Sequence, residues 1–247
     1  QVVSLIGKEQ YFVVHAQRQC GKTTAFQILA DEMNAKGERV ALYCSVEAVQ
    51  MYAEPDKGLP AISEQIRANL DLYPQLFGET AKADLFQALR NVSPTTIVTE
   101  TLKWLSMRVK KPLVVFFDEV DCLAEGTLIS FLRQLRNGRI SCKLPGTFPT
   151  SVALIGMRDI RDYKAKIRPD SETMGSASPF NVITKAMTLR TFTDEEVAEL
   201  YAQHTAETGQ VFEPEAVRHA CVSSGGQPYL VNALARWCVE EIHKEDF

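Results

Sequence analysis

The sequence has no surplus of positive charge. Its 27 lysines and arginines stand against 31 aspartates and glutamates, a formal net charge of −4 at pH 7. That balance excludes a general basic footprint for nucleic acid and leaves room only for a local patch. Long apolar runs are also missing. None exceeds five residues, the length of Leu113 to Phe117, whereas a bilayer-spanning helix needs about 20, so no membrane span is predicted. No basic segment followed by an apolar stretch opens the chain, so no secretory leader is predicted. Gln1 falls inside an apolar pattern, as expected of an excised module. The six cysteines, at positions 20, 44, 122, 142, 221 and 238, include no C-x-x-C pair, and the four histidines show no ligand spacing, which argues against a zinc site. Scattered cysteines without a leader read as the reduced thiols of a cytoplasmic protein.

What remains is an ordinary globular composition, 45% hydrophobic and 23% charged over 247 residues, enough for one large core or a core with a satellite. Tyr11 to His15 reads as a buried strand, and the helix after it carries Phe26, Leu29, Ala30 and Met33 at helical spacing, with Gly37 as its C-terminal stop. Val40 to Cys44, Leu113 to Phe117, Val152 to Ile155 and Met187 to Leu189 read as further strands. Between them lie helices punctuated by prolines and glycines. Ser93-Pro94 is expected to cap one helix, and Gly138 to stop another that starts at Gly126. Residues 170–180 read as a loop. After that the chain is all helix, opened by a Thr193-x-x-Glu196 capping box and interrupted at Gly225-Gly226-Gln227-Pro228. Alternating strand and helix followed by helices alone predicts a parallel α/β domain over residues 1–190 and a helical subdomain over residues 191–247.

Ala16-Gln17-Arg18-Gln19-Cys20-Gly21-Lys22-Thr23 fits the broad P-loop (Walker A) pattern, [A/G]-x-x-x-x-G-K-[S/T], with Ala16 where the strict form has glycine. The chemistry explains the spacing. Residues 17–24 can wrap so that backbone N–H groups point at a phosphate chain, and Gly21 lets the backbone approach an anion. The following helix adds its positive end. Lys22 would serve the β and γ phosphates, and the Thr23 hydroxyl would serve Mg²⁺. Ala16 requires a negative φ at its position.

The apolar run 113–117 ends in Asp118-Glu119, a Walker B pattern that puts a carboxylate at the sheet edge. Asp118 is the expected Mg²⁺ ligand and Glu119 the group that orients or deprotonates an attacking water. Asp121 reads as a solvated turn residue. Arg158, after the strand 152–155, would face a γ-phosphate if that strand lies beside the Walker B strand. Arg133, Arg136 and Arg139 read as a cationic last helical turn, with a finger reaching a neighbouring protomer's nucleotide as the alternative.

This ordered set resembles the STAND-type branch of AAA+-related P-loop ATPases, and in particular the AAA-like ATP-binding proteins of bacteria and archaea, over about residues 11–242. The resemblance implies a P-loop NTPase fold with a five-stranded parallel sheet and a C-terminal helical lid. It implies that Arg158 matches the sensor arginine after the fourth strand, and that Gly226-Gln227-Pro228 matches a G-x-P motif whose proline packs near adenine. Gly156 departs from it, standing where a hydroxyl residue is common. The predicted activity is Mg²⁺-dependent ATP hydrolysis coupled to lid movement, with a protein or nucleic-acid partner or self-assembly as output. A tightly bound, non-hydrolysing switch and a small-molecule kinase are the alternatives.

Overall fold

In the computed structural model, residues 1–142, 144–157 and 179–242 are described. The chain begins with α1 (Val2–Gly7), then runs through β1 (Tyr11–His15), α2 (Lys22–Lys36), β2 (Val40–Ser45), α3 (Pro55–Asn69), α4 (Pro74–Phe77), α5 (Ala81–Leu89) and α6 (Ile97–Val109). It continues with β3 (Leu113–Asp118), α7 (Glu125–Ser141), β4 (Ser151–Gly156), β5 (Lys185–Thr188), α8 (Asp194–Thr208), α9 (Pro214–Ser224) and α10 (Pro228–Trp237). The described residues within Gln1–His15 and Thr23–Thr188 form one compact unit, and those within Ala16–Lys22 and Leu189–Phe247 form the other.

The first unit is built on a five-stranded sheet of order β2-β3-β4-β1-β5, every neighbouring pair parallel. The runs that lack alternation in the sequence, 113–117 and 152–155, are strands whose residues are all buried, because helices cover both faces. On one face, Tyr11, Val13, Leu42, Leu113, Val115, Phe117 and Leu154 join Ile62, Leu102, Phe131 and other residues of α3, α6 and α7 in a continuous core. On the other, Phe26 of α2 meets Phe116 edge to face, ring centroids 5.1 Å apart. Strand β4 lies between β1 and β3, so the strand that should carry Arg158 does sit beside the one that ends in Asp118. The side-chain amide of Asn34 exchanges two hydrogen bonds with the backbone of Ala41, at 2.7 and 2.9 Å. Val40, one residue earlier, turns its N–H toward β3, so Ala41 faces the free edge of β2 and Asn34 satisfies it.

Two expected helix boundaries are corrected. Ser93-Pro94 does not cap α6. The Thr96 N–H bonds back to the Ser93 carbonyl in a turn, and the helix starts at Ile97. Its cap comes from a distance: the buried Gln134 of α7 accepts from the N–H groups of Val98 (2.8 Å) and Thr99 (3.2 Å) and donates to the Pro94 carbonyl. A side chain from another helix thus does the work of a local N-cap. Gly138 does not stop α7, which runs on to Ser141. Glycine is required there for space, since a Cβ would lie 2.2 Å from the Phe148 ring.

The second unit is a three-helix cluster. Val197, Tyr201, Ala220, Cys221 and Val231 form its core, with the Tyr201 hydroxyl donating to the Val231 carbonyl at 2.7 Å. The capping box is present at the start of α8, and Arg190 grips the Glu196 carboxylate through its two terminal guanidinium nitrogens. Gly226 has φ +71°, and a Cβ on it would lie 2.2 Å from the Phe192 carbonyl oxygen, whose residue's N–H donates to the Gly226 carbonyl.

Gly138→Ala is expected to lower stability by about 1–3 kcal/mol through forced displacement of the Phe148 ring, measured by chemical denaturation. The Glu196 carboxyl is drawn from its ordinary 4.5 down to about 2, first by Arg190 and then by the Thr193 N–H. A depressed carboxylate contributes stability above its unfolded value and loses it as pH falls toward the folded one. Protection of the amides in the first turn of α8, taken relative to the intrinsic exchange rate at each pH, should therefore fall between about pH 4.5 and 2, and Glu196→Gln should remove that dependence.

Candidate functional site

The loop of the second unit follows β1 and leads into α2. Ala16 is buried and has a negative φ, as alanine requires. The left-handed positions are Gln19 (φ 59°) and Gly21 (φ 79°). Gly21 is thus needed for backbone conformation, whereas space around it is open. Gln17, Arg18, Gln19 and Gly21 are exposed, Cys20 is half-buried, and Thr24 is exposed on the first turn of α2. Lys22 is only 5% exposed. Its ammonium donates to the carbonyls of Ala16 and Gln17, each at 3.0 Å, which offsets the cost of its burial. Within this unit the Gln227 side chain donates to the Arg18 carbonyl at 3.1 Å. Pro228 opens α10 at a position where its missing N–H costs nothing.

In the first unit the acid predicted at the end of β3 is the centre of a compact polar cluster. Asp118 is 1% exposed. Its Oδ2 accepts from the Thr23 hydroxyl and from the Tyr43 hydroxyl, both at 2.6 Å, and its Oδ1 accepts the Glu119 N–H at 2.9 Å. Distances of this size are those of charge-assisted O–H···O⁻ bonds. Burial, and then the bond to Asp118, push the Tyr43 phenol well above its ordinary value. The register explains how the groups meet. Ser45 is the partner of Asp118 and Tyr43 the partner of Phe116; side chains two apart share a face, so Tyr43 and Asp118 are diagonal neighbours on the face that carries α2.

Glu119 is half-buried and sits at φ 58°, a left-handed conformation uncommon for a non-glycine residue. That twist takes its side chain out of the alternation of β3. Asp121 lies in a turn but is half-buried rather than fully solvated. Its Oδ1 is inaccessible to solvent, and a Cβ at Gly156 would lie 2.4 Å from it. The carboxyl of Asp121 therefore occupies the space a hydroxyl side chain at 156 would take. Beside it, burial and the charges of Asp121, Glu119 and Glu47 push the Cys122 thiol up to about 12. Arg139 donates to the Glu9 carbonyl at 3.0 Å and lies 4.2 Å over the Tyr11 ring, so it is fastened to its own chain. Arg158 lies outside the described residues.

Of the residues expected to act together, the structure joins Thr23 with Asp118 directly. Tyr43 was missed, and Asp121 was read only as a solvated turn residue. The signal for Tyr43 was present: it is the lone side chain with a hydroxyl in the run Val40 to Cys44, two positions before the partner of Asp118. The signal for Asp121 was its reciprocal, a glycine ending a strand at 156. A hydroxyl and a carboxylate, both oxygen donors, are the chemistry that a hard divalent cation such as Mg²⁺ takes, so the residues present fit that ion. Among the described residues no cluster of three histidines, cysteines or acids suits a metal held by protein alone, and no helix is long and apolar enough to cross a membrane.

The fold is shared with several solved structures. The Walker-type ATPase PABY2304 of Pyrococcus abyssi superposes with a TM-score of 0.65 at 13% identity, over 97% of this chain and 65% of that one. The ORC2 protein of Aeropyrum pernix, solved as ADPNP–ADP complexes, gives 0.53 at 15% identity, over 92% of this chain and 55% of that one. Cdc6p of Pyrobaculum aerophilum gives 0.52 at 13% identity, over 83% and 48%. The chain thus spans under two thirds of the length of each of these proteins. No curated protein matches the sequence. The profile of the AAA-like domain family matches residues 5–247, nearly the whole chain. With a loop of the Walker A pattern after β1, a buried Walker B acid bonded to the threonine of that loop's helix, and a parallel sheet of order 2-3-4-1-5, the chain belongs to the AAA-like domain family of P-loop ATPases.

Proposed function

We propose that this domain binds ATP with Mg²⁺ and hydrolyses it, and that the nucleotide state is passed to the helical unit that follows β5. The observation that carries this reading is the 2.6 Å bond between Thr23 and Asp118, residues 95 positions apart. An acid that ends β3 at 1% exposure and bonds a hydroxyl on the first turn after a P-loop has no role in apolar packing. The two are the pair such a fold uses to hold Mg²⁺.

Backbone N–H groups of residues 17–24 would receive the phosphates, Lys22 would exchange its two carbonyl acceptors for β and γ oxygens, and Thr23 and Asp118 would hold Mg²⁺. When bound, the ion draws charge off the β and γ phosphates. Glu119 would orient the attacking water and take its proton. Arg158 would sense the γ-phosphate. Pro228 would pack near the base, as the G-x-P resemblance implies. The helical segment from residue 191 would act as the lid, and the Gln227–Arg18 bond supports that coupling because it ties the turn before α10 to the loop. The output is a protein or nucleic-acid partner, or self-assembly. The alternative, a nucleotide-bound switch with negligible turnover, draws support from Gly156: the hydroxyl common at that place is replaced by a glycine packed on Asp121. An acid directly after Asp118 suits water activation better than phosphoryl transfer to an acceptor, which disfavours the kinase.

Lys22→Ala should weaken ATP binding by about 10- to 100-fold, the loss of charged hydrogen bonds worth ~1.5–3 kcal/mol, measured by fluorescent-nucleotide titration at millimolar Mg²⁺. A wild type that binds no nucleotide under those conditions overturns the reading. Glu119→Gln should keep affinity and lower turnover by about 10²- to 10⁴-fold. Equal, near-zero phosphate release by wild type and variant at matched occupancy would instead establish the switch.

A further inference from the structure

Tyr43 belongs to no P-loop motif, yet it makes one of the two 2.6 Å bonds to Asp118 Oδ2. The geometry points to Tyr43 as a positioning residue that fixes the Asp118 carboxylate for Mg²⁺ and so sets the domain's affinity for that ion. The inference rests on the nucleotide reading above and adds to it a determinant of metal affinity that no motif supplies.

Three observations support it. First, Tyr43 is 8% exposed, on a strand whose register makes it the diagonal neighbour of Asp118 on one face. Its ring therefore has little freedom, and its hydroxyl is held where Oδ2 lies. Second, the donors divide unevenly. Oδ1 takes the Glu119 N–H, while Oδ2 takes both hydroxyls. A carboxylate rotates about one bond; donors on both oxygens stop that rotation. The backbone donor belongs to the next residue in the chain, and Thr23 lies on the loop's own helix. Tyr43 alone anchors the carboxylate to a strand outside both segments. Third, the loss of this hydroxyl would leave Oδ2 of a carboxylate that is 1% exposed with the Thr23 hydroxyl as its remaining side-chain donor, and a buried carboxylate with fewer donors is held less firmly. Partners of this kind, one step removed from a metal, typically change metal affinity by about 10- to 100-fold when removed.

The test is Tyr43→Phe, which removes one oxygen and keeps the ring. Nucleotide affinity is measured by titration in EDTA and across a Mg²⁺ series, with the unfolding midpoint of the free domain as the check on folding. The expected result is a Mg²⁺ concentration for half-maximal tightening raised by about 10- to 100-fold, with affinity in EDTA unchanged. An unchanged Mg²⁺ requirement in a folded variant overturns the role of Tyr43 and leaves nucleotide binding standing. Equal loss of affinity with and without Mg²⁺ also overturns it, because the hydroxyl would then act on the fold. A wild type that binds nucleotide in neither condition overturns the nucleotide reading and this one together. A second measurement needs no variant. In wild-type protein labelled at the tyrosine Cζ, the Tyr43 hydroxyl proton should stay protected from exchange when Mg²⁺ and ADP are added; its rapid exchange in that state shows that the bond is given up and overturns the proposal.

Discussion

A carboxylate with 1% exposure is a liability unless its charge is met by donors, and the arrangement of the first unit follows from how Asp118 is met. Three donors reach it: the first turn of α2, the face of β2 and the residue that follows it in the chain. Each fixes something larger. The Thr23 bond pins the start of α2 to the end of β3, although β4 and β1 follow β3 in the sheet order. The Tyr43 bond holds the register of β2 against β3 at the end where both strands leave the sheet. The Glu119 N–H can serve Oδ1 because the backbone turns left-handed immediately after the strand. Loss of this one charge would free three connections at once.

The two units treat polar groups differently. In the first, polar side chains act across long sequence distances: Gln134 on α6, Ser63 on Thr101, Tyr11 on the Pro149 carbonyl. In the second, polar stabilisation is mostly local, in a capping box, glycine caps after α8 and α9, and an arginine six residues from its acid. The P-loop residues 16–22 group with this second unit, where Gln227 reaches Arg18. A segment held by local bonds and one distant side chain is easier to reshape than one embedded in a buried network, which suits a part expected to respond to nucleotide.

Much of this was legible in the sequence, and the reason lies in periodicity. Strands covered on both faces must be continuously apolar, so β1, β3 and β4 showed themselves, and β3 announced its acid. The P-loop was legible because its backbone geometry demands Gly21 at a fixed place. The capping box was legible because both of its partners lie within one turn. What escaped depended on distant residues. Ser93-Pro94 has the chemistry of a cap, but Gln134, 41 residues after Ser93, holds the N–H groups instead. Gly138 looks like a stop, and only the Phe148 ring shows why a side chain is excluded within a continuing helix. Asp121 looks solvated until Gly156 is seen against it. Tyr43 acts across the sheet, so its role needs the register of β2 on β3, and no single-strand pattern contains that.

The Asn34 amide has an effect beyond its own helix. By occupying both the N–H and the carbonyl of Ala41, it takes one edge-facing residue of the outermost strand and pairs it with a side chain of the same molecule. The margin is thereby blocked at the start of β2. A foreign strand arriving at Ala41 would have to displace a two-point amide clasp before gaining that rung.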